Sequence, residues 1–233
     1  MQDFIVNLSC KGSDSFYANK AANSVNLDIA SKLEHNLKVS VNIKDKYSVG
    51  LIIGSSGSGK TTLAKKIFGD DCLENVLKMD SSIIDQFSEN LGYEERVDYL
   101  TGVGLTSIPC WIRPVYTLST GQRERAEAAI KMSIDKELTV IDEWTSTVNR
   151  EVAKVMSHSI QKAIRKTSKK IVLISCHYDI IDWLNPDWII DCNLQTFEDR
   201  RSLQQDRREK LNFHLKRCDS RSWKNFSQYH YLS

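Results

Sequence analysis
The residues best suited to chemistry lie in LIIGSSGSGKTTL, residues 51 to 63. Gly54, Gly57 and Gly59 stand ahead of Lys60, Thr61 and Thr62, with Ser55, Ser56 and Ser58 between the glycines. Glycine permits positive φ and close approach, so this G-x-x-x-x-G-K-[ST] spacing lets successive N–H groups turn inward around a phosphate chain. Lys60 then reaches the β/γ-phosphates. The Thr61 hydroxyl is placed to ligate Mg²⁺, which neutralises part of the charge on those oxygens. The bland alternative is a Gly/Ser turn with a chance lysine.

Three further stretches carry groups that handle a γ-phosphate and a water. In ELTVIDEW, residues 137 to 144, a short apolar strand ends in two acids. Asp142 would sit beside the magnesium shell, and Glu143 would polarise the attacking water as general base. In LSTGQRERAEAAI, residues 118 to 130, Ser119 and Gly121 precede a long helical pattern. N–H groups and a hydroxyl then converge at a positive helix end, a second phosphate site. One nucleotide has no use for two cradles unless the second serves another subunit's nucleotide. In IVLISCHYDI, residues 171 to 180, a buried strand runs into His177. A histidine there can contact the γ-phosphate, although a functionless histidine is the commoner case.

These groups need strands that end at one place and helices that begin there. The apolar run Val49 to Ile53 predicts a buried strand and Thr62 to Phe68 the helix whose N-terminus faces the anion. Trp111, Trp183 and Trp188 read as core packing.

Taken in order, these stretches resemble the ATP-binding-cassette (ABC) ATPase family over residues from about 36 to 192. GSSGSGKTT matches the Walker A loop, LSTGQ the family signature, LTVIDE the Walker B strand with its glutamate, and His177 the switch histidine. DEWTSTVN, residues 142 to 149, is in register with the family's D-E-P-T-S-A-L-D run. The resemblance implies ATP and Mg²⁺ as ligands. Gly54, Ser55, Ser56, Gly57, Ser58, Gly59, Lys60, Thr61 and Thr62 would hold the nucleotide of the same chain. Ser119, Gly121 and Gln122 would hold that of a partner copy. Thr61, Asp142 and the Q-loop candidate Gln86 would face the metal, and Glu143, His177 and Lys60 would act in catalysis. Departures are Thr120 for a signature glycine, Trp144 for proline, Val148 for leucine and Asn149 for aspartate.

By the same resemblance the fold is an α/β P-loop NTPase core. It has a small antiparallel β-subdomain near the N-terminus and a helical insertion at about residues 87 to 118. That insertion is short, which favours a soluble ABC ATPase over a transporter subunit working with a separately encoded membrane protein. TSIPCWIRPVYTLSTGQ and CHYDIIDWLNPDWIID look like a bacterial and phage group in which the ATPase is joined to a GNAT acetyltransferase-like domain. A nucleotide-dependent scaffold without turnover is the third class, and Glu143 argues against it.

Composition sets the frame. The chain has 233 residues, 41% hydrophobic and 27% charged, as in an ordinary globular protein. No apolar run approaches the roughly 20 residues that span a bilayer, and MQDFIVNLSCKG lacks a signal-peptide pattern, so the expected place is the cytoplasm without membrane insertion. Six scattered cysteines without a C-x-x-C pair suggest reduced thiols. Cys176 beside His177 is read as non-functional, because adjacent strand residues point to opposite faces. Two domains are expected, an ATPase at 1 to 198 and a tail at 199 to 233. The tail carries nine Lys/Arg against four acids, interleaved with Trp223, Phe226, Tyr229 and Tyr231. Docking onto a protein or domain is the preferred reading of it, and single-stranded nucleic acid the alternative.

Overall fold
The computed structural model describes residues 2–9, 13, 15–26 and 34–201. The expectations for Cys10, Cys218 and the tail beyond Arg201 lie outside the described residues.

The chain opens with strand β1 (Gln2–Ser9), helix α1 (Phe16–Ser24) and strand β2 (Glu34–Val41), with β1 and β2 paired antiparallel. Alternation in β2 sends Leu37, Val39 and Val41 inward. This is the small antiparallel unit that the resemblance implied. The main sheet has five strands in the order β4-β5-β3-β6-β7, namely β4 (Leu138–Ile141), β5 (Lys170–Ser175), β3 (Val49–Ile53), β6 (Trp188–Asp191) and β7 (Thr196–Asp199). The first four are parallel and β7 is antiparallel to β6. A domain boundary at 198 would therefore cut the last residue from β7.

Strand β3 has the span its apolar run predicts and sits at the centre of the sheet, so all five residues are buried. Its pleat divides the core. Val49, Leu51 and Ile53 join Ile171, Leu173 and Ile189 on one face, under α3 (Tyr93–Gly102), α4 (Ile108–Trp111), α5 (Thr120–Ser133), α6 (Arg150–Ile164) and α7 (Ile180–Leu184). Ile52 joins Val172, Ile174, Trp188 and Ile190 on the other face, with Leu63 of α2 (Lys60–Phe68) and the inner residues of β2. The insertion between Gln86 and Leu118 contains α3, α4 and a 3₁₀ turn (Val115–Thr117).

Trp188 and Trp111 are core residues. Trp188 is 1% exposed and packs around Tyr47, Phe68 and Phe197. Its indole lies flat on Gly50, where an added Cβ would come within 2.1 Å of Cζ2. Trp111 is buried and donates Nε1–H to the Leu105 carbonyl at 2.8 Å.

Below the sheet, Asp187 ties the entry of β3. Its Oδ2 accepts the amides of Ser48 and Val49 at 2.7 and 2.8 Å, and its Oδ1 accepts from Arg165 at 3.0 Å. Asp187 is 4% exposed, so the charge it buries is offset by these bonds and by the Arg165 ion pair. The opposite, C-terminal ends of the strands carry the glycine loop and the loops after β4, β5 and β6. Among the described residues, no helix is long and apolar enough to cross a membrane.

Candidate functional site
Four loops leave the C-terminal ends of neighbouring parallel strands, the position where open α/β sheets gather ligand groups. The loop after β3 carries the glycines. Gly54, Gly57 and Gly59 adopt φ of +154°, +79° and +86°, the left-handed or near-forbidden region that only glycine enters cheaply. The sequence places the helix start at Thr62, but α2 begins at Lys60, because the left-handed turn at Gly59 feeds the chain straight into the first helical turn. An added Cβ at Gly57 would meet nothing within 4 Å, so this part of the loop borders open space. Lys60 is only 6% exposed and donates its ammonium to the Ser55 carbonyl at 2.7 Å.

The loop after β4 faces the start of α2. Thr61 Oγ1 donates to Asp142 Oδ2 at 2.7 Å, so the two groups expected to share a metal shell, 81 positions apart in sequence, are in contact. Hard oxygen donors of this kind suit Mg²⁺. Both line a cavity of about 360 Å³ together with Lys65, Lys131, Glu124 and Glu127.

Glu143 follows in a turn with left-handed backbone at Glu143 (φ +53°) and Thr145 (φ +68°), a conformation costing of order 1–3 kcal/mol per residue. Trp144 over-determines it. The residue is 3% exposed, its amide donates to the Ile174 carbonyl at 2.8 Å, and its Nε1–H donates to Ser157 Oγ at 3.2 Å. The Glu143 carboxylate accepts from Ser146 Oγ at 2.5 Å.

The loop after β5 is linked to that turn. Ser175 donates its hydroxyl to the Trp144 carbonyl at 2.9 Å and accepts the His177 amide at 3.2 Å, so one buried residue fixes Trp144 and His177 together. Cys176 and His177 do meet, with Sγ 3.8 Å from Nδ1. Alternation fails there because β5 ends at Ser175 and both residues lie in the following loop. Cys72, Cys110, Cys176 and Cys192 are free thiols.

The signature turn opens α5, with Ser119 as N-cap. Gln122 donates its amide to Ser119 Oγ at 3.3 Å, and Ser119 returns its amide to Gln122 Oε1 at 3.0 Å. Gln122 also donates to Cys110 Sγ at 3.2 Å and receives Arg113 at 3.3 Å, which joins the turn to the insertion. Gly121 has a role the sequence did not reveal. A Cβ there would stand 3.0 Å from Val148 Cγ1 and 3.3 Å from Thr147 Oγ1, so the signature helix packs directly on the segment after Glu143. Thr147 donates its hydroxyl to Glu124 of the same helix. Burial holds the Glu124 carboxyl above the ordinary glutamate range, and the negative Glu143 adds to this, against the pull of the Thr147 bond.

Gln86 is engaged elsewhere. Its Oε1 accepts the Lys78 amide at 2.7 Å, and its Nε2 donates to the carbonyls of Lys78 and Ser81 at 2.9 and 3.2 Å. In this arrangement it braces its own loop and does not join Thr61 and Asp142 at the cavity. Sequence reading passed over Ser146 and Ser175, although Ser146 stood within the quoted DEWTSTVN run. It also passed over Tyr178, Asp191 and Asn193, for which no local pattern gives a signal.

No family model and no curated protein matches the sequence. Solved structures do match the fold. The ATP-binding cassette MJ0796, in a dimeric post-hydrolysis state with ADP and Pi, aligns with a TM-score of 0.55 at 16% identity, over 91% of this chain and 100% of that one. A putative metal-chelate type ABC transporter in an inward-facing conformation aligns at 0.54 and 16% identity, over 72% of this chain and 78% of that one. A bacterial Atm1-family ABC exporter with ATP bound aligns at 0.50 and 13% identity, over 73% of this chain. The chain spans 36% of that exporter chain's length. The fold is thus that of an ABC-type P-loop ATPase domain, a mixed α/β architecture around a mainly parallel sheet.

Proposed function
We propose that this chain binds Mg·ATP and hydrolyses it, as an ABC-type ATPase that pairs head to tail with a second copy. The observation that carries the reading is the contact of Thr61 with Asp142 beside the buried Lys60, with Glu143 next in the chain. The open side of the glycine loop and the oxygen donors fit a polyphosphate with its magnesium.

In the proposed mechanism Lys60 exchanges the Ser55 carbonyl for phosphate oxygens, and the loop's N–H groups hold the chain in line. Bound Mg²⁺ would neutralise charge on the β/γ oxygens. Glu143 takes the proton of the attacking water, its carboxylate oriented by Ser146. His177, tied to the same turn through Ser175, contacts the γ-phosphate. Ser119, Gly121 and Gln122 serve the nucleotide of the other copy, as in a two-fold arrangement with two shared sites.

A protein partner is the better reading for the work driven. The short insertion exposes Ile108 and Ile112 one helical turn apart, with Tyr116 nearby in sequence. That partner is a soluble protein or a separately encoded membrane protein. Nucleic-acid contact rests on tail residues outside those described, and the GNAT-like reading rests on the resemblance of residues 106–122 and 176–191 alone.

The test is ATP turnover and light scattering on the wild type and on Glu143→Gln. Turnover should fall by about 10²-fold or more in Glu143→Gln while ATP is still bound and a dimer accumulates. Hydrolysis within tenfold of wild type would remove the general-base role, and a monomer in saturating ATP would remove the homodimer.

A further inference from the structure
A chain of hydrogen bonds runs from Ser55 of the glycine loop to residues outside the recognised motifs, across the C-terminal ends of the strands. Ser55 donates both its amide, at 3.2 Å, and its hydroxyl, at 2.9 Å, to Asn193 Oδ1. Asn193 Nδ2 donates to the Tyr178 hydroxyl at 3.1 Å, and Tyr178 donates to Asp191 Oδ1 at 3.1 Å. The direction is forced. An amide oxygen only accepts, an amide nitrogen only donates, and the single phenolic proton goes to the carboxylate.

The ends of this chain are fixed. Asp191, 7% exposed at the end of β6, also accepts the amides of Asn193 and Leu194 at 2.8 and 3.0 Å. Those two bonds already close the turn into β7, so the Asn193 side chain is not required for the turn and reaches across to another loop. Ser55 follows Gly54, where an added Cβ would meet Ser58 Oγ at 2.6 Å, Cys192 Cβ at 3.1 Å and Asn193 Oδ1 at 3.4 Å. The entry of the glycine loop has no slack on this side. Tyr178 is 43% exposed, so its place is not dictated by burial of its ring, and it directly follows His177.

We propose that Asn193 and Tyr178 are positioning residues that join the entry of the phosphate loop to the backbone carrying His177, so that filling the loop and setting the histidine are one event. This rests on the nucleotide reading above. His177 is then held from both sides, by Ser175 through its own amide and by Tyr178 through the relay. Cutting the relay at either link frees the histidine from the loop. The γ-phosphate is the part of the ligand that registers the loss, because ADP offers His177 nothing to meet.

The test is titration of the full chain with Mg·ATP and with Mg·ADP, for the wild type, Asn193→Ala, Tyr178→Phe and the double variant, with thermal unfolding of each. Tyr178→Phe should leave ADP affinity within about twofold and cut the preference for ATP over ADP by about threefold or more, the scale of one hydrogen bond. Asn193→Ala should show the same reduced preference and also weaken both nucleotides by about fivefold. The double variant should show no further loss of preference, since both substitutions cut one relay. An unchanged preference in the folded variants would leave only a structural brace and overturn the proposal, whatever the melting temperatures. So would losses of preference that multiply in the double variant, or a wild type without a preference for ATP. Tyr178→Phe removes one oxygen from a half-exposed ring and carries the test alone if Asn193→Ala misfolds. A wild type that binds neither nucleotide overturns the nucleotide reading and this proposal together.

Discussion
The glycine loop before α2 and the signature turn before α5 are both helix N-termini, yet they are in opposite conditions. At the glycine loop, three glycines hold the backbone in φ values that only they reach cheaply, and the side near Gly57 borders open space. At the signature turn, Ser119 and Gln122 close a reciprocal cap with ordinary φ, and Gly121 is pressed against Thr147 and Val148. On the proposed function the first is a cradle complete within one chain. The second is self-satisfied, its Ser119 hydroxyl accepting from the Gln122 amide while keeping its own proton to donate outward. A device of the second kind suits a site that forms only when two copies meet.

The comparison is broken most severely through the ligand. Lys60→Ala should lower ATP turnover by about 10²-fold or more and weaken nucleotide binding in the isolated chain. Ser119→Arg should leave the monomer's ATP affinity within about threefold while blocking dimerisation. Isothermal titration and light scattering on both variants separate the effects, and a strong affinity loss in Ser119→Arg would place the signature turn in the site of its own chain.

Glycine replacements sharpen the contrast. At Gly57 an alanine has room but an unfavourable φ, so the cost is backbone strain of about 1–2 kcal/mol. At Gly121 an alanine meets Val148 and Thr147, so the cost is overpacking, about 1–3 kcal/mol unless the segment after Glu143 shifts. Chemical denaturation gives both stabilities. Turnover per folded molecule should also fall in Gly121→Ala, because the displaced segment adjoins Ser146 and Glu143.

The smallest effect concerns charge behind the signature turn. Burial of Glu124 pushes its carboxyl up, so its ionised form is disfavoured in the fold. The resulting penalty is fully present above the folded-state value and disappears below the unfolded one. Glu124→Gln keeps an oxygen for Thr147 and removes the charge. Its melting temperature should exceed wild type near pH 8 and the difference should vanish near pH 4, as calorimetry would show.

Much of this was legible in the sequence because it is local. Val49 to Ile53 is a strand because five apolar residues lie between turn signals, and Ser119 begins a helix because a hydroxyl precedes a helical pattern with glutamine three residues on. What escaped depends on pairings across the fold. Asn193 meets Ser55 over 138 positions and Glu124 meets Thr147 over 23, distances that no period of 2 or 3.6 encodes. Gln86 shows the complementary case. Its residue type and region fitted a metal ligand, but the Lys78 backbone, only eight positions away, offers both a donor and an acceptor.

Asp187 has a consequence for how the molecule opens. It pins the amides of Ser48 and Val49 beneath the sheet, while the groups that would handle nucleotide hang from loops at the other end. Solvent deuterons should therefore reach the two ends by different routes. The Ser48 and Val49 amides should exchange only when the whole core unfolds, whereas amides of the glycine loop and the turn at Glu143 should exchange through brief local openings. The sheet can thus breathe at its working edge without loosening the edge that holds it.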